Sequence, residues 1–427
     1  MRIVVMTSGS RGDVQPYIAL GLGLQRAGYQ VCMLTHSIFA PMIEQYGLEF
    51  AALSGDPRAI VESEEGLRLL ETGGNAVRFV RRLFAESKKN QVAMTRAAER
   101  VLPGAHLLLY SVLCFAGSYV AEALNIPAML VPLQPILPTR AFPYPTGFSR
   151  SLGSVGNLLT HRLVNMGIWQ LMRSTMQPIR HELGLPPIPV WGSISWLYKQ
   201  HQPVLLGYSP LILPRPADWP DWVHVTGYWF LDAPSTWQPP ADLLDFLAAG
   251  PPPVYIGFGS MASRKAEETT NIILNALARS DQRGIIATGW GGLSNSDLPD
   301  NVFKLEEAPH DWLFPRMAAV VHHGGSGTTA AGLRAGVPNI VVPFFADQPF
   351  WGERVYRLGV AAKPIPRQHL TAENLAAAIT TTISDQAMSA RAADLGARIR
   401  AEDGVGNATH IIRNLISSEL ASDLPRH

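Results

Sequence analysis

Twice along its 427 residues this chain runs through the same alternation: short, β-rich apolar runs separated by longer stretches of helical period. Strands that alternate with helices pair in parallel and need helices on both faces, so each pass predicts one doubly wound α/β domain. In the first pass the strand candidates are Ile3–Met6, Val31–Thr35, Leu48–Ala51, Leu107–Tyr110 and Ala128–Val131. Helices fit at Pro16–Ala27, Ile38–Tyr46, Ala76–Leu102, Phe115–Leu124 and Leu158–Glu182, with an irregular loop at Pro132–Pro145. The second pass offers strands at Val254–Phe258, Gly284–Thr288, Val302–Leu305, Ala319–His322 and Asn339–Val342. Its helices fall at Lys265–Arg279, Thr328–Ala335 and Gln348–Leu358. Between the passes, Leu213–Pro240 is dense in Pro, Asp and Trp and breaks both periodicities. The predicted organisation is an N-terminal domain over 1–213, a linker over 214–240 and a C-terminal domain over 241–406. A last helix over 407–427 could belong to either domain, including by packing back on the first.

Composition narrows the class. Hydrophobic residues make up 47% and charged residues 16%, which suits large buried sheets. A net charge of +1 gives no case for nucleic acid. The only cysteines, Cys32 and Cys114, sit in apolar runs and read as buried free thiols of a reducing compartment, so a cytoplasmic location is expected. The start reads as a first strand rather than a secretory leader. The apolar stretch Ala105–Leu124 carries His106, Ser111, Ser118 and Glu122, and divides into a strand and a helix rather than spanning a membrane.

In doubly wound sheets ligands sit beyond the carboxyl ends of the strands, and two facing domains leave a cleft there. After the strand at Ala319 comes His322-His323-Gly324-Gly325-Ser326-Gly327-Thr328-Thr329, then a helix-forming run. Glycines admit a ligand close to the backbone, and a helix start offers unpaired N–H groups and partial positive charge, which together make an anion site. Thr328 and Thr329 add hydroxyls, and a protonated His323 would neutralise part of a phosphate charge. The plainer alternative is a Ser or Thr that caps the helix. A dinucleotide fingerprint fits weakly, since Ala330 stands where its third glycine belongs. One αβ unit later, Asp347-Gln348-Pro349 sets a carboxylate and an amide side by side, a pair that can bind vicinal hydroxyls of a hexose. There the alternative is N-capping by Asp347.

These motifs carry a resemblance. The chain resembles the inverting glycosyltransferases of the GT-B fold, the UDP-glycosyltransferase family, over nearly its whole length. Ala308-Pro309-His310 through His322–Thr329 to Asp347-Gln348 looks like the nucleotide-sugar signature. Gly9-Ser10-Arg11-Gly12-Asp13-Val14-Gln15-Pro16, Phe258-Gly259-Ser260-Met261 and Val225-Thr226-Gly227-Tyr228-Trp229 resemble the sterol and glycopeptide- or macrolide-antibiotic branches. The resemblance implies that Ala308 and His310 meet uracil, and that His323, Gly325, Ser326, Gly327 and Thr328 meet the diphosphate, with Ser10, Gly12 and Ser260 near it. Asp347 and Gln348 would meet the sugar. Two departures stand out: Glu307 and His310 replace the Trp and Gln of plant members, and Gly327 and Ala331 replace their Asn and ribose-binding Glu.

The expected reaction is transfer of a hexose, glucose from UDP-glucose, to a lipophilic alcohol such as a sterol, a macrolide or another natural product. Asp13 is the candidate general base and His323 the partner of the leaving diphosphate. No Asp-x-Asp motif occurs, so neither a metal nor a cofactor beyond the nucleotide sugar is expected. Asp13 could instead be a turn residue that caps the Pro16 helix, and Arg11 could orient Asp13 or touch phosphate. Phe142, Trp169 and Trp191 are nominated for the acceptor. The helix Ala76–Leu102 carries Arg78, Arg81, Arg82, Lys88, Lys89, Arg96 and Arg100, which suits either a peripheral membrane contact or a solvated basic face. The rival functions are a sugar-nucleotide epimerase on the same fold and a nucleotide-sugar-binding protein without turnover.

Overall fold

The computed structural model describes residues 1–55, 76–259, 266–287 and 298–422. Its first half opens with β1 (Arg2–Met6), α1 (Gln15–Arg26), β2 (Gln30–His36), α2 (Ala40–Gln45) and β3 (Glu49–Leu53). It continues with α3 (Ala76–Val101), β4 (Leu107–Tyr110), α4 (Phe115–Ala123) and β5 (Ala128–Leu130). The long α5 (Gly153–Glu182), α6 (Ser193–Lys199), β6 (Val204–Leu206) and β7 (Val223–Val225) complete it. Among the described residues these strands form one seven-stranded parallel sheet in the order β3-β2-β1-β4-β5-β6-β7.

Both faces of that sheet are covered, and β1 shows how. Val4 and Met6 join one apolar cluster with Leu108 and Tyr110, while Ile3 and Val5 join the opposite one with Leu107 and Leu109. Alternate side chains therefore enter two different cores, which is why the strands read as unbroken apolar runs.

The second half runs α7 (Ala241–Ala248), β8 (Val254–Gly257), α8 (Ala266–Arg279), β9 (Gly284–Ala287) and β10 (Val302–Leu305). Then come α9 (His310–Leu313), β11 (Ala319–His322), α10 (Ser326–Ala335), β12 (Asn339–Val341) and α11 (Gln348–Arg357). The last helices are α12 (Ala372–Ser384), α13 (Gln386–Arg400) and α14 (Gly404–Ser422). The five strands pair in parallel in the order β10-β9-β8-β11-β12.

One correction to the sequence reading concerns the join. The stretch assigned to the linker begins inside the first domain, because β7 pairs with β6 as the outermost strand of the N-terminal sheet. The chain crosses over only after it. The last helix starts at Gly404, and its Ala408, Ile412 and Ile416 enter the core beside Leu20 and Leu24 of α1. The two halves also meet in an apolar seam, where Phe350, Trp351 and Val355 of α11 share a cluster with Tyr208 and Ile212. Among the described residues no helix is long and apolar enough to cross a membrane.

Candidate active site in the interdomain cleft

In each sheet the strand order reverses at one place, between β1 and β4 in the first and between β8 and β11 in the second. A crevice opens at the carboxyl ends there. The loops leaving β1 and β11 face each other across a cavity of about 1800 Å³, which both domains line.

The β11 loop is shaped by its first histidine. His322 is fully buried, and its Nδ1 accepts from Gly324 N–H at 3.0 Å. Nε2 therefore carries the proton and donates to Asn339 Oδ1 at 2.9 Å, while Asn339 Nδ2 donates to Val337 O. Burial holds this imidazole neutral, with a pKa pushed down to about 4. Gly324 must be glycine: its φ is +87°, and a Cβ there would sit 2.6 Å from Val341 Cγ1.

His323 points the other way and lines the cavity. Burial, followed by His322 and His310, pushes its pKa down to about 3. It is thus neutral, so the charge neutralisation that the sequence reading tied to a protonated ring is not available to it. The cap alternative is not realised either. Gly325 is the N-cap of α10, and no side chain caps the helix. Thr329 N–H is the first to bond back, to Gly325 O at 2.9 Å. The N–H groups of Ser326, Gly327 and Thr328 are therefore without helical partners at the cavity wall. Of the two threonines, Thr328 lines the cavity and Thr329 is fully buried, so Thr329 leaves the candidate set.

Asp347 occupies the N-cap position of α11 but does not cap it; its Oδ2 accepts from Trp351 Nε1 at 2.9 Å. Burial raises its pKa to about 6, with the Asp13 carboxylate contributing from across the cleft. Ala346, just before it, sits at φ +57°, a strained conformation for a residue with a Cβ. Gln348 is buried, and its Oε1 accepts from Phe344 N at 2.8 Å and Phe345 N at 3.2 Å. Its carbonyl thus shapes the loop, and Gln348 also lines the cavity. Ala308 and His310 also line the cavity, His310 stacked on Phe314 at 4.2 Å and edge-on to Tyr255 at 6.0 Å.

Opposite, the β1 loop presents Asp13. It belongs to a single 3-10 turn, Arg11–Asp13, that packs against α10. Asp13 Oδ2 accepts from Ser10 N at 2.9 Å and Ser10 Oγ at 3.0 Å. Ser10 is thus the holder of Asp13. Val14, not Asp13, stands at the N-cap of α1, which removes the capping alternative. Burial raises the Asp13 pKa, and the two Ser10 hydrogen bonds oppose part of that rise. Gly9, at φ +131°, leaves the room: a Cβ there would lie 2.5 Å from Asp13 Oδ2. Arg11 neither orients Asp13 nor stays on its own domain; it pairs with Glu307 across the cleft and with Gln15 Oε1 at 3.2 Å. Gly12 lines the cavity beside Asp13. Ser260 lies outside the described residues.

The remaining wall of the N-terminal half has a broad apolar part, Met94, Phe115, Ile136, Val164, Trp169, Met172 and Met176, with polar groups such as Gln91, Gln134 and Asn165 among it. Of the three nominated aromatics only Trp169 is there. Phe142 is buried in the interdomain seam, 5.8 Å from the Phe350 ring and 6.2 Å from Trp219. Trp191 is 65% exposed and outside the cavity. Of the basic residues on α3, the side chains of Arg78, Arg81, Arg82 and Lys88 lie outside those described. Arg96 pairs with Glu99 and Glu182. One lining pair escaped the sequence reading: Ser8 Oγ donates to His36 Nε2 at 2.8 Å, with His36 Nδ1 on Gly55 O at 2.9 Å. His36 ends β2, so the carboxyl-end rule pointed to it.

Comparison with known proteins follows the same division. Residues 3–143 match the glycosyltransferase family 28 N-terminal domain, and residues 271–415 the C-terminal domain of erythromycin biosynthesis protein CIII-like proteins. The chain is 36% identical to a sterol 3-beta-glucosyltransferase of Arabidopsis thaliana, over 98% of this chain and 69% of that one. It is 37% identical to O-mycaminosyltylonolide 6-deoxyallosyltransferase of Streptomyces fradiae over the full length of both. A sterol 3-beta-glucosyltransferase of Emericella nidulans is 36% identical, but this chain spans only 30% of it. Among solved structures, the glycotransferase of kitacinnamycin superposes with a TM-score of 0.72 at 19% identity, covering 97% of this chain and 98% of that one. The calicheamicin glycosyltransferase gives 0.69 at 19% identity and covers 98% of each chain. At such identities the two structures establish the GT-B fold.

Proposed function

The chain belongs to the glycosyltransferases of the sterol and macrolide type, on the GT-B fold, and we propose that it moves glucose from UDP-glucose to a hydroxyl of a lipophilic acceptor with inversion at the anomeric carbon. One observation carries the reading: a single cavity holds a carboxylate, Asp13, on one side and the open start of α10 with His323 on the other. An inverting displacement needs a base and a leaving-group site on opposite faces of the reacting carbon.

In this scheme the acceptor lies against the apolar wall with its hydroxyl at Asp13. Asp13 takes the proton as the acceptor oxygen attacks the anomeric carbon and the bond to the diphosphate breaks. The raised pKa brings the carboxylate closer to the range of a useful base. The N–H groups at the start of α10, its dipole and the neutral His323 donor take up charge on the departing diphosphate. Those groups lie on the chain itself, so the scheme needs no metal. Asp347 accepts from sugar hydroxyls, and His310 and Tyr255 line the space for the base.

The test is incubation with UDP-glucose and a panel of sterols, macrolides and flavonoids, in EDTA. The expected result is an acceptor mass gain of one hexose, acceptor-dependent UDP release and a β-linked product by NMR. An α-linked product removes inversion. Epimerised sugar without acceptor, or binding without turnover, overturns the assignment. A dTDP-sugar arm decides the nucleotide.

A further inference from the structure

Helix α5 carries an apolar surface that the cleft does not use up. Val155, Leu159, Leu163 and Leu171 follow one another at four-residue steps, with Gly167 in the one gap, so they form a single ridge along the helix. They are 63%, 48%, 60% and 47% exposed, respectively. Solvated helix faces rarely hold four large aliphatic residues in a row. The ridge ends at the cavity mouth, where Leu171 and Ile168 are both exposed and cavity-lining. Beside that end Gln170 Nε2 donates to Val190 O at 2.9 Å, which sets the exposed Trp191 next to the ridge.

Charge distinguishes the possible occupants. Between Glu122 and Glu182 the sequence has no Asp or Glu, but has Arg140, Arg150, Arg162, Arg173 and Arg180. Arg162 and Arg173 are exposed on α5 itself. Arg150 pairs with Glu353 and the buried Arg180 with Glu122, so the exposed basic charge along the ridge is that of Arg162 and Arg173, which a second copy of this face would bring toward one another. An apolar ridge flanked by arginines and a surface tryptophan has instead the make-up of a helix that lies in a bilayer interface.

We propose that α5 docks on a lipid bilayer through Val155, Leu159, Leu163 and Leu171, with Trp191 at the interface. The cavity mouth then faces the membrane. A lipophilic acceptor would pass from bilayer to cleft without crossing water, a consequence that rests on the glycosyl-transfer reading, whereas the docking does not. The experiment needs neither donor nor acceptor. The full chain is co-sedimented with vesicles of phosphatidylcholine containing about one-third phosphatidylserine. The double variant Leu159→Gln/Leu163→Gln is run in parallel; neither residue lines the cavity, and both are exposed, so its melting curve should match the parent's.

The expected result is vesicle binding by the parent that falls at least about tenfold in the variant. Three results overturn the proposal. In one the parent stays in the supernatant. In another the variant pellets equally. In the third, light scattering finds a parent dimer that the variant converts to monomer, which would make the ridge a self-interface.

Discussion

The loops after β1 and β11 occupy the same place in their sheets, the point where strand order reverses, yet they are built for opposite charges. The β11 loop opens a ten-residue helix and offers backbone N–H groups, so its function is written in the main chain. The β1 loop closes into a three-residue turn and offers one side-chain carboxylate. Each loop pins its reactive element with a neighbour: His322 holds the glycine turn and Ser10 holds Asp13. A donor site made of backbone should tolerate side-chain loss better than a base site that depends on two oxygen atoms.

The sharpest test of that difference is Asp13→Asn. The amide keeps an acceptor for Ser10 N–H but cannot take a proton, so turnover should fall by roughly 10³-fold or more while UDP-glucose affinity changes less than about twofold. Parent turnover over apparent KM should rise with pH along a limb above the ordinary carboxylate value of 3.8, because the deprotonated form is the active one and burial raises its pKa. Equal turnover in the variant would transfer the base role elsewhere, with His36 the next candidate.

The two adjacent histidines give the next largest effect. His323→Ala should lower turnover by about 10²-fold and weaken donor binding with little change in melting. His322→Ala should cost about 2–4 kcal/mol of stability, because it leaves Asn339 Oδ1 and Gly324 N–H buried without a partner. Similar melting losses in both variants would contradict the division of labour.

The smallest effect expected is on Asp347→Asn. A carboxyl whose folded pKa is raised from 3.8 to about 6 contributes stability below pH 3.8 that is lost as pH rises through 6. Above that, the buried charge is a cost, so the variant should be more stable at pH 8 by about 1–3 kcal/mol in urea titrations, while donor affinity falls about tenfold. An unchanged affinity would take the sugar contact away from this residue.

Local signals made the donor half readable. A glycine-rich run between a strand and a helix fixes its own geometry, and Asp347 follows the next strand. The adjacent histidines were not told apart, although a strand sends neighbouring side chains to opposite sides. The acceptor half was less legible because residue type does not say which side of a wall an aromatic faces. Phe142, Trp169 and Trp191 went to a domain seam, the cavity and the surface, respectively. The strands β6 and β7 were missed for a related reason. They are three residues long and pair with chain distant in sequence, Val204 with Leu130 and with Val223. The loop-shaping role of the Gln348 carbonyl was not legible, because its partners are backbone amides of its own loop, which composition does not show.

The return of α14 to the first domain makes the chain cross the gap a second time. At that second crossing Gly404 lies so close to the first that a Cβ on it would sit 2.3 Å from Tyr228 O, and Ser209 Oγ reaches Glu402 Oε1 at 2.8 Å. Two strands of chain in contact behave like the spine of a book. The covers have one line to turn about, and Arg11 and Glu307 join them near it, since Gln15, the partner of Arg11, also reaches Leu231 O at 3.5 Å. Any parting of the halves to admit substrate therefore turns about that shared line.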